Sequence, residues 1–174
     1  MRLRNSKWIS CIIVMVLGYM IIFSAGMVIA KTIKIGAILA VTGPASFLGG
    51  PEKRSLEMAV EEINARGLAG EHTIELIIKD SGASSEKAIS FAKQLIEEDQ
   101  VFAIIGPSTS GETFKIKKLC DTSKTLLISC GSAELIINPQ APFVFKTAPS
   151  DSLAARKIFM TMNSMGISKV AVLT

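Results

Sequence analysis

Residues 101–113 read VFAIIGPSTSGET, and the reading of the whole chain turns on them. The apolar run from Val101 to Ile105 stops at Gly106-Pro107. Small hydroxyl residues follow at Ser108, Thr109 and Ser110, and a helical stretch runs from Phe114 to Cys120. The order is buried strand, tight turn, helix N-terminus. Ser110 is the expected N-cap, with its hydroxyl accepting from amides of the first turn. Those amides, backed by the helix dipole, suit a carboxylate or other anion. In an open α/β sheet such a helix start lies in the crevice at the carboxyl ends of the strands. The stretch is therefore the expected ligand cradle; the plainer alternative is a cap that only closes its helix.

On either side the pattern repeats. Residues 32–41 (TIKIGAILAV), 73–79, 125–129, 143–147 and 169–173 read as further strands, the last two short. Between the first two lie a Gly-rich loop over 42–50 and a helix that Pro51 is placed to open. Leu56, Ala59, Val60 and Ile63 form its apolar face, and Gly67 with Gly70 ends it. Ser84 is placed to cap a second helix whose face carries Ala88, Phe91, Ala92, Leu95 and Ile96. Pro149-Ser150-Asp151 opens a last helix with Ala154, Ile158, Met162 and Met165. Continuous apolar strands alternating with helices predict an α/β fold, a parallel sheet covered on both faces.

Composition narrows the function classes. With 174 residues and 49% hydrophobic content the chain can bury a core and is not a disordered segment. Of its 19 basic residues three, Arg2, Arg4 and Lys7, lie in the first thirty positions, which hold no acid; from Lys31 onward 16 bases face 15 acids. That near-balance leaves no electrostatic footprint for nucleic acid. The 23 uncharged residues from Trp8 to Ala30 follow the basic start, and Val28-Ile29-Ala30 offers a cleavage site. Residues 1–30 thus read as a secretory signal peptide that meets the membrane only during export. An uncleaved anchor is the alternative, since a run of this length can span a bilayer.

Cys120 and Cys130 fall near opposite ends of the sheet, too far apart for a bridge, and are expected as free thiols. Neither they nor the single His72 has metal-ligand spacing, and no cofactor is expected. Residues 106–110, GPSTS, approach the G-x-S-x-G nucleophile elbow but end on Ser110. His72 precedes the second strand, at the far edge of the sheet from any Ser108 nucleophile, and Asp80 more simply caps a turn. The loop after the first strand lacks the G-x-G-x-x-G order of dinucleotide sites. No enzyme is expected.

Six stretches together resemble the periplasmic type I solute-binding proteins, in particular the leucine/isoleucine/valine-binding group of ABC importers. They are IKIGAILAVTGPASFLG (33–49), EEINARG (61–67), IIKDSGASSEKA (77–88), IIGPSTSGET (104–113), LLISCGSAEL (126–135) and VFKTAPSDS (144–152). The resemblance implies two α/β lobes that clamp a small ligand, an amino acid or similar, for delivery to importer membrane subunits. It implies that 31–148 form lobe one and that 149–174 open an incomplete lobe two, as expected of a fragment. It places Ser110 on the ligand carboxylate, the Gly131 carbonyl on the ammonium, Ser132 or Ala133 on a position touching both, and Leu48 in the side-chain pocket. The acid that pairs with the ammonium belongs to lobe two. The same fold tethered by an uncleaved leader would make an extracellular sensor. N-terminal sequencing of the exported protein is expected to begin at Lys31; a start at Met1 would make it the tethered form.

Overall fold

The computed structural model describes residues 31–171. The expected signal peptide or anchor over 1–30, with Cys11, lies outside them. Five strands, β1 (Thr32–Leu39), β2 (Thr73–Asp80), β3 (Ala103–Ile105), β4 (Leu126–Ser129) and β5 (Val144–Lys146), form one sheet in the order β2-β1-β3-β4-β5. Every neighbouring pair is parallel, as the continuous apolar strands required. Among the described residues four α-helices accompany it, α1 (Ser46–Ala65), α2 (Ser85–Glu97), α3 (Ser110–Ser123) and α4 (Asp151–Ser164), with a 3-10 turn at Glu134–Ile136.

The core sits where α2 and α3 pack on each other and on the sheet. Ile38, Ile104, Leu127 and Val144 meet Ala88, Ala92, Leu95, Ile116 and Cys120 there. The predicted face of α2 is the buried one: Ala88, Ala92 and Leu95 are fully covered, and Ser84 caps the helix by accepting from the Lys87 amide. Small residues on the sheet make room for it, since a Cβ on Gly36 would lie 2.8 Å from a Leu95 methyl. The α1 helix packs against β1 and β2. Its face is only half covered, with Leu56, Val60 and Ile63 partly buried and Ala59 exposed. At its end the Gly67 and Leu68 amides donate to the Asn64 and Ile63 carbonyls, so Gly67 does close the helix.

Two boundaries differ from the sequence reading. Helix α1 begins at Ser46, and Pro51 lies inside it rather than in its first turn. The cause is close packing: Gly49 sits on the backbone of Ala40, where a Cβ would lie 2.3 Å from the Ala40 carbonyl carbon and oxygen. A loop could not hold that approach so regularly, and the helix gives up one amide at Pro51 to keep it. The expected last strand over 169–173 is not formed as far as it is described. Residues 167–171 have no regular structure, because a strand exists only by pairing and none of the five strands borders this segment. Helix α4 is exposed at every residue except the partly buried Met162. Cys120 is buried and Cys130 half-buried, and both are free thiols as expected.

Gly49→Ala should therefore lower stability by about 1–3 kcal/mol through overpacking. Gly50→Ala, whose Cβ would meet only the Arg54 guanidinium at 3.8 Å, should be neutral or stabilise by up to about 1 kcal/mol. Urea unfolding of the two variants checks the contrast.

Candidate functional site

Strand order decides where a ligand can sit. From β1 the chain moves outward to β2, then crosses back to β3 on the other side of β1. The loops leaving β1 and β3 therefore diverge, and a crevice opens between them at the carboxyl edge. The loop leaving β4 borders the same edge. The loop after β4 carries Gly131, Ser132 and Ala133, and the other two lead into the helix starts that carry Leu48 and Ser110.

The start of α3 is capped one residue earlier than expected. Thr109, not Ser110, is the N-cap: its backbone is extended and its hydroxyl accepts from the Glu112 amide at 3.3 Å. The same hydroxyl donates to Glu112 Oε2 at 2.6 Å. Thr109-x-x-Glu112 is a capping-box sequence, the local signal that distinguishes Thr109 from Ser110 as the cap. Glu112 is 1% exposed, and its Oε1 has no hydrogen-bond partner among the described residues. Because Thr109 caps, Ser110 is released. Its Oγ accepts from the Ala133 amide at 3.2 Å, which leaves the hydroxyl proton free to donate. Among the described residues no hydrogen bond uses the amides of Ser110 and Gly111 either. Three donors thus remain at a helix N-terminus, the arrangement an anion requires.

The loop after β4 lies against this helix start. A Cβ on Gly131 would fall 2.8 Å from Ser110 Oγ and 3.0 Å from Ser110 Cα, so only glycine fits. A buried chain of hydroxyls holds the approach. The Gly131 amide donates to Ser129 Oγ at 3.0 Å, and Ser129 lies 2.7 Å from Thr113 Oγ1. Thr113 donates to the Thr109 carbonyl at 2.9 Å, so its own oxygen must accept and Ser129 must donate. Beyond Gly131 the Ser132 carbonyl accepts from Lys146 Nζ at 2.7 Å and from the Asp151 amide at 3.1 Å. The Glu134 amide donates to Asp151 Oδ1, and Ser152 donates to Glu134 Oε2. The loop is thereby stitched to the segment that enters α4. Ser110, Gly131 and Ala133 are brought together; the Ser132 residue is exposed beside them.

On the other side of the crevice, buried Ser108 accepts from the Ala40 amide at 3.0 Å and donates its hydroxyl to Glu52 of α1. The Cys130 thiol lies beside the same carboxylate. Burial, then Glu52, push that thiol up to about 11. Asp80 accepts from the Thr42 amide and hydroxyl and from the Gly82 amide, so it does cap its turn. Burial alone would raise its carboxyl, but these hydrogen bonds together hold it below its ordinary value. Leu48 is 38% exposed in the first turn of α1, and Phe47 before it is 72% exposed. Sequence reading missed the pairing of Ser108 with Glu52, which are linked only across 56 positions of chain. His72 lines a different cavity, with Lys31, Lys34 and Phe102, at the amino edge of the sheet.

Comparisons with known proteins agree with this fold. A family model described as periplasmic binding protein matches residues 32–174. Leu/Ile/Val-binding protein homolog 7 of Brucella abortus is 38% identical over 80 residues, 45% of this chain and 20% of that protein. Among solved structures, the branched-chain amino acid transporter substrate binding protein LivJ from Streptococcus pneumoniae, in complex with isoleucine, superposes with a TM-score of 0.65. It is 31% identical, over 70% of this chain and 35% of that one. A possible leucine/isoleucine/valine-binding protein from Rhodopirellula baltica gives a TM-score of 0.74 at 21% identity, over 82% of this chain and 38% of that one, a likeness of fold. The chain spans between 20% and 38% of the length of these relatives.

The site analysis yields a test of the thiols. In the folded protein Cys130 should react with iodoacetamide slowly at neutral pH, its rate climbing with pH toward about 11 as thiolate forms. Cys120, pushed up to about 12 by burial, should be slower still. Both should alkylate in denaturant without reductant; a requirement for reductant would reveal a bridge and overturn the placement.

Proposed function

The chain belongs to the periplasmic binding protein family, and from that premise we propose that it is the extracytoplasmic substrate-binding component of an ABC importer, for an amino acid of the branched-chain type or a related small polar solute. Residues 31–148 act as the ligand lobe and 149–174 open a second, with residues 1–30 directing export. The observation that carries the reading is the Ser110 hydroxyl. It accepts from the Ala133 amide, which leaves its proton, like the two amides beside it, without an acceptor among the described residues. They take the ligand carboxylate, with the positive end of the α3 dipole behind them. The Gly131 carbonyl, across a gap that its lack of a side chain keeps closed, takes the ammonium. The Ser132 hydroxyl and the backbone at Ala133 border both groups. Leu48, with exposed apolar surface on α1, faces the aliphatic part. Such a site binds and releases; it involves no covalent step.

Ser110→Ala is expected to cost roughly 1.5–3 kcal/mol of binding, the worth of a hydrogen bond to a charged group, or about ten- to a hundredfold in Kd. Titration with leucine, isoleucine and valine, followed by calorimetry or amide shifts, reads it. Thr109→Ala is the control: losing the cap should lower stability by about 1 kcal/mol with little change in affinity. Unchanged affinity in Ser110→Ala would reduce Ser110 to a packing residue.

A further inference from the structure

We propose that Thr113 and Ser129 are positioning residues for ligand binding: joined hydroxyl to hydroxyl, they fix the Gly131 carbonyl relative to the Ser110 hydroxyl and so set the spacing at which a carboxylate and an amine are accepted together. The inference rests on the amino-acid reading above. It adds what makes the site select an α-amino acid over a carboxylate whose amine is displaced or missing.

Both residues are fully buried, Thr113 in the first turn of α3 and Ser129 at the last position of β4. Each hydroxyl has one proton, and the contacts leave one assignment. Thr113 Oγ1 donates to the Thr109 carbonyl at 2.9 Å. Ser129 therefore donates to Thr113 at 2.7 Å, and its oxygen accepts from the Gly131 amide at 3.0 Å. The Thr109 carbonyl already accepts from the Thr113 amide at 3.1 Å, the ordinary helix bond, so it does not need the Thr113 hydroxyl. The group that depends on the chain is the Gly131 amide. It lies beyond the end of β4 and, among the described residues, has no other acceptor.

Glycine has the most permissive backbone of any residue, so the Gly131 carbonyl keeps one direction only if the chain is held on both sides of it. Ser129 holds the Gly131 amide, and Ser110 Oγ holds the Ala133 amide at 3.2 Å. Both anchors trace to the first turn of α3, one through Thr113 and one through Ser110 itself. Among the described residues no hydrogen bond ends on the Gly131 carbonyl, which leaves it for the ligand's amine. One helical turn thus carries both ends of the site, and the hydroxyl chain limits how far their separation can vary. Such preorganisation lowers the cost of binding the ligand whose charges match the spacing.

Thr113→Val tests this, because valine keeps the shape and removes only the hydroxyl. The Thr109 carbonyl keeps its helix bond, while Ser129 loses its acceptor and with it the hold on Gly131. Ser129→Ala breaks the chain at its other member, and Thr113→Ser keeps the hydroxyl. Each protein would be titrated with the amide shifts of Ser110, Gly111 and Gly131 as readout. The probes are leucine, 3-amino-5-methylhexanoate (its amine one carbon further from the carboxylate) and 4-methylpentanoate (no amine). Wild type should prefer leucine to both others by about tenfold, the worth of one hydrogen bond to a charged group. Thr113→Val and Ser129→Ala should erase that preference by weakening leucine, with 4-methylpentanoate unchanged, and Thr113→Ser should keep it. Equal weakening of all three probes with a lower Tm would make the chain a structural brace and overturn the proposal. An undiminished preference for leucine in either chain-breaking variant would overturn it too, and would leave the amino-acid reading standing. A wild type that binds leucine no better than 4-methylpentanoate would overturn the amino-acid reading and the proposal with it.

Discussion

The first turn of α3 and the loop after β4 touch backbone to backbone because residue 131 has no side chain, and the geometry of the carboxyl edge follows from that contact. Any Cβ there would collide with Ser110. With none, the Ala133 amide comes within reach of Ser110 Oγ, and the hydroxyls of Ser129 and Thr113 close a buried chain from the Gly131 amide to the Thr109 carbonyl. Every group in that chain has a defined direction of donation. Breaking it would strand a buried polar group, which costs more than the net worth of one hydrogen bond. The two halves of the site are thus held in register by satisfaction of polar groups, where the α2–α3 core is held by apolar packing alone.

That register gives the edge its electrical character. The helix terminus offers donors and the positive end of a dipole; across the crevice the Glu52 side chain accepts from Ser108 in the loop after β3. The same loop is tied by its Ser132 carbonyl and Glu134 to Lys146, Asp151 and Ser152. The loop from Gly131 to Ala133 is therefore joined by hydrogen bonds to the start of α4. Helix α4 itself is nearly bare of contacts. Its exposed Leu153, Ile158, Phe159 and Met160 contrast with the covered faces of α2 and α3.

Much of this was readable from residue order. Period and composition marked six strands and four helices, of which all but the strand over 169–173 are formed among the described residues, and the apolar continuity of 101–105 and 125–129 called for a parallel sheet with both faces covered. Ser84 as a cap, Gly67 as a stop and Asp80 as a turn residue were local facts, each decided within a few residues of chain. The capping box at Thr109 is equally local and equally legible, and Ser110 competes with it for the cap only because both are hydroxyl residues side by side. The start of α1 was not local. Pro51 argues for a helix beginning there, yet the contact of Gly49 with Ala40 in β1 extends the helix back to Ser46.

By itself, then, the sequence determined the alternation of elements, the helix faces and the hydroxyl-rich turn where a helix N-terminus could meet an anion. Such features depend on periodicity and on backbone donors and acceptors a few residues apart. Tertiary structure decided strand order, and with it the position of the crevice between β1 and β3. It also decided that Ser110 gives its oxygen to Ala133 and keeps its proton, and that Glu52 meets Ser108 and Cys130. Those outcomes depend on distances between segments remote in sequence, set by how closely glycine lets one backbone approach another, and no pattern along a single stretch of chain encodes such a distance.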